Sequence, residues 1–140
     1  MRIAPFVVVL ERLVRRISRG RHGVLDVAGL PSMELTVLGR KSGVPRTVSL
    51  LYVPEGQDDF LLVGSNWGRP QHPSWSANLA AADHAEIHSR GERFKVRVRR
   101  LTGAERDRAW ERAIQRWPGY TMEQNMVPER PFRLFELTRI

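Results

Sequence analysis

Apolar and polar residues alternate through the middle of the chain. Phe94, Val96 and Val98 alternate with Arg93, Lys95, Arg97 and Arg99. A period of two belongs to a strand with one face buried and the other in water. Shorter stretches of the same kind predict strands at 34–39, 47–53, 60–64, 85–88 and 132–137, besides 93–101. Turn residues separate them: Lys41-Ser42-Gly43-Val44-Pro45, the segment 54–59, and Arg90-Gly91. Helical spacing appears in three places. Phe6, Leu10, Leu13, Val14 and Ile17 share one face of a helix over 1–21, with Arg12, Arg15, Arg16 and Arg19 on the other. Pro73 opens a short helix through Trp75, Asn78 and Leu79. Thr102-Gly103-Ala104-Glu105 has the form of a capping box, with Glu105 reaching back to Thr102. The helix that follows runs toward Trp117 and stops before Pro118.

These elements predict an α+β, mainly β fold of about six mostly antiparallel strands with two or three helices. Hairpin links outnumber long crossovers, which favours an antiparallel barrel over a doubly wound parallel sheet. The chain divides into an amphipathic basic arm, 1–21, and a barrel domain, 22–140. A length of 140 residues suits one such domain. Its longest nearly apolar stretch, 3–10, is far short of the roughly 20 residues that cross a bilayer. The arm reads either as a helix on its own barrel or as a contact with an anionic membrane surface. A cytoplasmic protein is expected, with the arm at the inner membrane face on the second reading.

The absence of cysteine excludes disulfide frameworks, iron–sulfur clusters and thiol nucleophiles. The net charge of +8 invites anionic partners. The charge is local. Six bases stand against Glu11 up to Arg21, and six against Glu92 over 90–100. Arg40, Lys41 and Arg46 add a third cluster with no acid beside it. Lys41 and Lys95 are the only lysines, so most of the charge sits on planar guanidinium forks suited to phosphate and carboxylate.

Three segments carry candidate chemistry. Gly39-Arg40-Lys41-Ser42-Gly43-Val44-Pro45-Arg46 sets three cations and two glycines in one turn, where guanidiniums and free backbone N–H groups can hold an anion. A solvated basic hairpin turn would look the same. The segment from Gly64 through Ser65, Asn66 and Trp67 to Leu79 ends a strand in a polar loop that feeds a helix. Trp67, Trp75 and Asn78 can frame a flat ring there; equally, Trp75 and Leu79, four apart, can anchor the helix in the core. The segment 117–126, with Trp117, Tyr120 and Glu123, reads as a loop or lid, or as a plain connection. His84, Glu86 and His88 share one strand face, yet their polar, turn-adjacent setting suits surface histidines, and no metal site is expected.

Taken in order, Leu38-Gly39-Arg40-Lys41-Ser42-Gly43-x-Pro45-Arg46, Val63-Gly64-Ser65-Asn66-Trp67-Gly68 and His72-Pro73-x-Trp75-x-x-Asn78-Leu79 resemble the deazaflavin-dependent nitroreductase family. The resemblance runs from about Glu34 to the end of the chain. It implies a split β-barrel related to the flavin mononucleotide (FMN)-binding oxidases. It also implies the 8-hydroxy-5-deazaflavin coenzyme F-420, which carries a phosphate and an oligoglutamate tail. By position, Arg40, Lys41 and Arg46 would hold the phosphate and tail. The backbone of Val48, Ser49 and Leu50 would line the deazaflavin with Ser65 and Asn66, and Trp75, Asn78 and Leu79 would close the pocket. Trp67, Trp117, Tyr120 and Glu123 would face the substrate, with Tyr120 or water as proton donor. The chain departs from the family pattern at Asn66, where many relatives have lysine, and at Leu51, which replaces an aromatic. It also departs at Trp117 and Glu123, which replace two of three tyrosines.

The expected activity is hydride transfer from reduced F-420 to a quinone, an enone or a nitro compound. Three other readings stand beside it. One is an FMN enzyme with the same turn. Another is a non-catalytic barrel for a cofactor, lipid or haem-type ligand. The third is a nucleic-acid module built on 90–100, which lacks the interleaved aromatics that bind single strands.

Overall fold

A computed structural model of the chain describes residues 31–140. The expected arm, 1–21, lies outside the described residues. The strands are β1 (Ser32–Leu38), β2 (Pro45–Leu51), β3 (Val53–Pro54), β4 (Asp59–Val63), β5 (His84–Ser89), β6 (Glu92–Leu101) and β7 (Leu134–Arg139). Three helices join them: α1 (Ser74–Ala80), α2 (Gly103–Arg116) and α3 (Gly119–Met126). A single 3-10 turn, Asn66–Gly68, follows β4.

The strands form one antiparallel sheet in the order β2-β1-β5-β6-β7-β4-β3. The expected strand 47–53 is in fact two strands. Tyr52 interrupts it, with its N–H on the Pro31 carbonyl and its ring edge-on to Phe60 at 5.1 Å. β2 then ends one edge of the sheet and β3 ends the other, with Tyr52 alone between them. A flat sheet cannot meet that condition, so the sheet curls until its edges approach, as in a split barrel.

Strand alternation sends side chains to two cores. The inner core holds Met33, Leu35, Val37, Phe60, Leu62, Ile87, Val96, Phe135 and Leu137, and Trp75 and Leu79 of α1 pack on it. The outer core holds Val53, Leu61, Val63, Leu101 and Leu134 under Ala109 and Ala113 of α2 and Tyr120 of α3. Each fully buried aliphatic side chain contributes about 1.5–3 kcal/mol relative to exposure.

Two local expectations are corrected. The capping box does not form: Thr102 stands at the helix start without a side-chain cap bond. Glu105 instead accepts two bonds from Arg99 Nη1 at 2.8 Å, a charge-assisted pair that outcompetes a backbone N–H. The expected loop or lid at 117–126 is mostly helix α3. Pro118 precedes its first turn, and the three-residue spacing of Trp117, Tyr120 and Glu123 is a helical one.

Candidate functional site

Antiparallel pairing brings distant ends of the chain together. The end of β1, the start of β2, the start of β5, the ends of β4 and β6 and the start of β7 all lie at one end of the sheet. Helix α1 runs from the β4 exit to the β5 entry at that same end. The first two sequence segments singled out for chemistry therefore converge there.

The basic turn is tied to α1. Asn78 Oδ1 accepts from the Arg40 backbone N–H at 3.1 Å and from Arg40 Nη1 at 2.9 Å. Most of the turn's own backbone donors are already used. Gly39 N–H meets the Val44 carbonyl, Gly43 N–H meets the Gly39 carbonyl, and Val44 N–H meets Ser42 Oγ. The Lys41 and Ser42 N–H groups are left without a partner among the described residues, so the turn offers an anion mainly its side chains and only two backbone donors. Arg40, Lys41 and Arg46 are all exposed. Among the described residues, none of the three meets a carboxylate.

Along β2, Val48 and Leu50 pack on the inner core, beside Trp75 and Leu79. Trp75 lies 6.2 Å from Phe135, ring centre to ring centre. Ser49 sits opposite Glu34 on the outer face, so only its backbone joins this group. Val48, Leu50, Trp75 and Leu79 are thus held on one apolar face at the cationic end. Trp75 and Leu79 also anchor α1, so both readings of that pair describe the same packing.

The loop after β4 is strained. Asn66, Trp67 and Gly68 have φ of 50°, 57° and 73° in succession. Left-handed backbone costs a residue with a Cβ about 1–2 kcal/mol. A Cβ on Gly68 would lie 3.0 Å from the Glu123 carbonyl oxygen and from Met126 Sδ, so the turn is pressed against α3. The loop is over-determined by a residue the sequence reading missed. Arg130 is buried and donates to the carbonyls of Gly64 (3.1 Å), Ser65 (2.6 Å) and Arg69 (2.8 and 3.0 Å). Its Nη1 also donates to His72 Nδ1 at 3.3 Å, since an arginine cannot accept. His72 is held below its ordinary pKa by burial and then by Arg133, Arg130 and Arg100, which suits that acceptor role. Gln124 completes the frame, donating to the Val127 and Arg130 carbonyls and accepting from Phe132 N–H. No local pattern marks Arg130 or Gln124. Both are polar residues whose partners lie on irregular loop backbone.

The third segment meets the second through Glu123. The Ser65 hydroxyl lies beside the Glu123 carboxyl, whose pKa is raised by burial against the opposing effect of that hydroxyl. Glu123 Oε1 and Trp117 Nε1 are buried without partners among the described residues. Tyr120 does not share the inner face. Its ring belongs to the outer core, 6.4 Å from Trp110, and burial followed by Glu123 pushes its hydroxyl far above the ordinary range.

His84, Glu86 and His88 do share a strand face. Glu86 is taken by Arg93 at 2.7 Å, and no group of three metal-ligating side chains occurs among the described residues. Two of the six bases in 90–100 are paired with carboxylates, Arg93 with Glu86 and Arg99 with Glu105 and Glu136, and the segment's one acid, Glu92, is taken by Arg139. No helix among the described residues is long and apolar enough to cross a membrane.

Known proteins are similar to this chain in sequence and fold. A model of the family described as F420H(2)-dependent quinone reductase matches residues 10–135. The F420H(2)-dependent quinone reductase Rv1261c of Mycobacterium tuberculosis is 34% identical over 136 residues, covering 93% of this chain and 88% of that protein. The solved structure of an F420-H2 dependent reductase, FDR-A, is similar at a TM-score of 0.67 and 30% identity, covering 76% of this chain and 93% of the other. HutZ, the heme storage protein from Vibrio cholerae, shares the fold at a TM-score of 0.56 and 12% identity, covering 94% of this chain and 90% of its own. The family match spans most of the chain and includes all three segments singled out for chemistry. The chain belongs to the F420H(2)-dependent quinone reductase family.

Proposed function

We propose that this protein binds coenzyme F-420 and reduces a quinone-type acceptor with it. The observation that carries the reading is the pairing of an apolar face with exposed cations at one sheet end. A flat ring system with an anionic side chain needs both. When bound, the reduced deazaflavin supplies a hydride. The protein supplies position and charge. Val48, Leu50, Trp75 and Leu79 form the apolar wall for the ring, with Ser65 and Asn66 at its polar edge. Arg40, Lys41 and Arg46 hold the phosphate and glutamate tail, while Asn78 fixes Arg40 to α1. Trp67 and Glu123 bound the acceptor side, where proximity lowers the barrier, whereas Trp117 packs with Tyr120 on the outer core.

The proton that follows the hydride comes from water in this reading. Tyr120 lies in the outer core, where burial and then Glu123 disfavour the phenolate that proton donation would leave, and it acts as a packing residue for α3.

The test is a fluorescence titration of the full chain with oxidised F-420 and, separately, with flavin mononucleotide. Turnover of reduced F-420 with menadione under anaerobic conditions follows. Micromolar or tighter binding of the deazaflavin with turnover supports the reading. Binding without turnover of menadione, enones or nitro compounds makes the protein a carrier of the cofactor. Binding of flavin mononucleotide alone overturns the cofactor assignment. Co-sedimentation of the full chain with anionic vesicles tests the separate reading of 1–21 as a membrane contact.

A further inference from the structure

Two arginines that the function has not used point into the same sheet end. Arg100 pairs with Phe135 across β6 and β7, and Phe135 belongs to the inner core. Arg133 stands two positions before Phe135 along the chain. Both therefore sit on the inner side of the sheet, unlike Arg97 and Arg99 on the outer one. Arg133 Nη1 donates to Ser76 Oγ at 3.1 Å, and Ser76 is fully buried within α1. Two positions on, Asn78 carries Arg40. One short helix thus anchors both guanidiniums, each through its own polar side chain.

Among the described residues no carboxylate meets Arg40, Arg100 or Arg133, whereas Arg93, Arg112 and Arg139 each meet one and Arg99 meets two. The like charges are close enough to act on one another. Burial lowers the Arg133 pKa most, and Arg100 and Arg40 lower it further. Cations gathered without a counter-charge repel, and an oxyanion between them turns the repulsion into attraction. Guanidinium forks match phosphate and carboxylate geometry.

We infer that Arg100 and Arg133, with Arg40, form an oxyanion subsite at the α1 end of the inner face, which takes a phosphate or carboxylate of the cofactor's side chain. The identity of the ligand rests on the F-420 reading; the anion chemistry does not.

The experiment has an arm without cofactor and an arm with it. In the first, the melting temperature of the full chain is measured with pyrophosphate or triglutamate against chloride at matched ionic strength. A rise of several degrees is expected in the wild type and in the outer-face control Arg93→Gln. In Arg133→Gln and Arg100→Gln the rise is expected to fall by at least half. An equal rise in all four proteins overturns the subsite. In the second arm, Arg133→Gln is expected to bind F-420 at least tenfold more weakly, and to bind the deazaflavin core lacking phosphate and tail as the wild type does. An F-420 Kd within twofold of wild type overturns the subsite. If Arg133→Gln does not fold, the exposed Arg100→Gln carries the same comparisons. A tail-free cofactor that keeps its phosphate separates the two sources. Equal weakening for it and for the full cofactor assigns the phosphate, and weakening for the full cofactor alone assigns the carboxylates. A wild type that ignores F-420 but responds to pyrophosphate through Arg133 sinks the cofactor reading and keeps the subsite.

Discussion

Replacing Arg130 with methionine tests whether one buried guanidinium holds the loop after β4. Methionine keeps the length and the contact with Phe132, over which the Arg130 guanidinium carbon lies at 4.8 Å. It removes every donor to the Gly64, Ser65 and Arg69 carbonyls. Ser65 keeps a bond from Gly68 N–H at 3.0 Å, so Gly64 and Arg69 carry most of the loss. A buried acceptor left without its charged donor costs about 1–3 kcal/mol. Relief of the arginine's own desolvation offsets part of that. The net expectation is about 2–4 kcal/mol, which lowers the melting temperature by roughly 8–15 °C for a domain of this size. Lysine keeps the charge but has one ammonium for several carbonyls, so Arg130→Lys should lie between wild type and Arg130→Met. Urea unfolding followed by circular dichroism measures both. A loss below about 0.5 kcal/mol for Arg130→Met would refute the reasoning, since the carbonyls would then be satisfied by solvent.

Four further expectations are open to measurement. Arg46→Gln and Lys41→Gln should each weaken F-420 binding several-fold, more at low salt than at high, and leave the rate at saturating cofactor within twofold; a collapse of that rate with affinity intact would reverse the assignment of roles. Tyr120→Phe should keep menadione turnover within twofold, and a tenfold loss in a folded variant would restore Tyr120 as proton donor. The folded Glu123 carboxyl titrates above its ordinary value, so folding favours its protonated form. That contribution is fully present below the unfolded pKa and lost as pH rises through the folded one, so Glu123→Gln should be more stable than wild type at pH 7, with the gap closing toward pH 4. Arg90 and Gly91 turn between β5 and β6 with φ of 52° and 78°, so Arg90→Gly should raise stability by about 0.5–1 kcal/mol in thermal unfolding, as left-handed backbone suits glycine.

The alternating pattern from Arg93 to Leu101 determined β6 and its buried face, because a period of two admits one solution once one side meets a core. Pro73 likewise marked where α1 begins and Pro118 where α2 ends, since a proline's fixed φ and missing N–H act within a turn. The ordered segments around Lys41, Ser65 and Trp75 pointed to a family and its cofactor chemistry. Other features needed the fold. Residues 47–53 read as one strand, yet Tyr52 divides them between opposite edges of the sheet, because closing the curl outweighs local propensity. Glu105 abandoned its cap for Arg99, which the β6–β7 register also sets against Glu136. Tyr120 and Glu123 are three apart on α3, yet one faces the outer core and the other the Ser65 hydroxyl. Arg130 looked like any exposed arginine until β4 and the loop before β7 placed four carbonyl contacts around it. Sequence periodicity records which face of each element is buried, since that choice is made over a few residues. Which cations share a site with which apolar wall is decided by how a seven-stranded sheet curls, and that lies beyond the reach of local spacing.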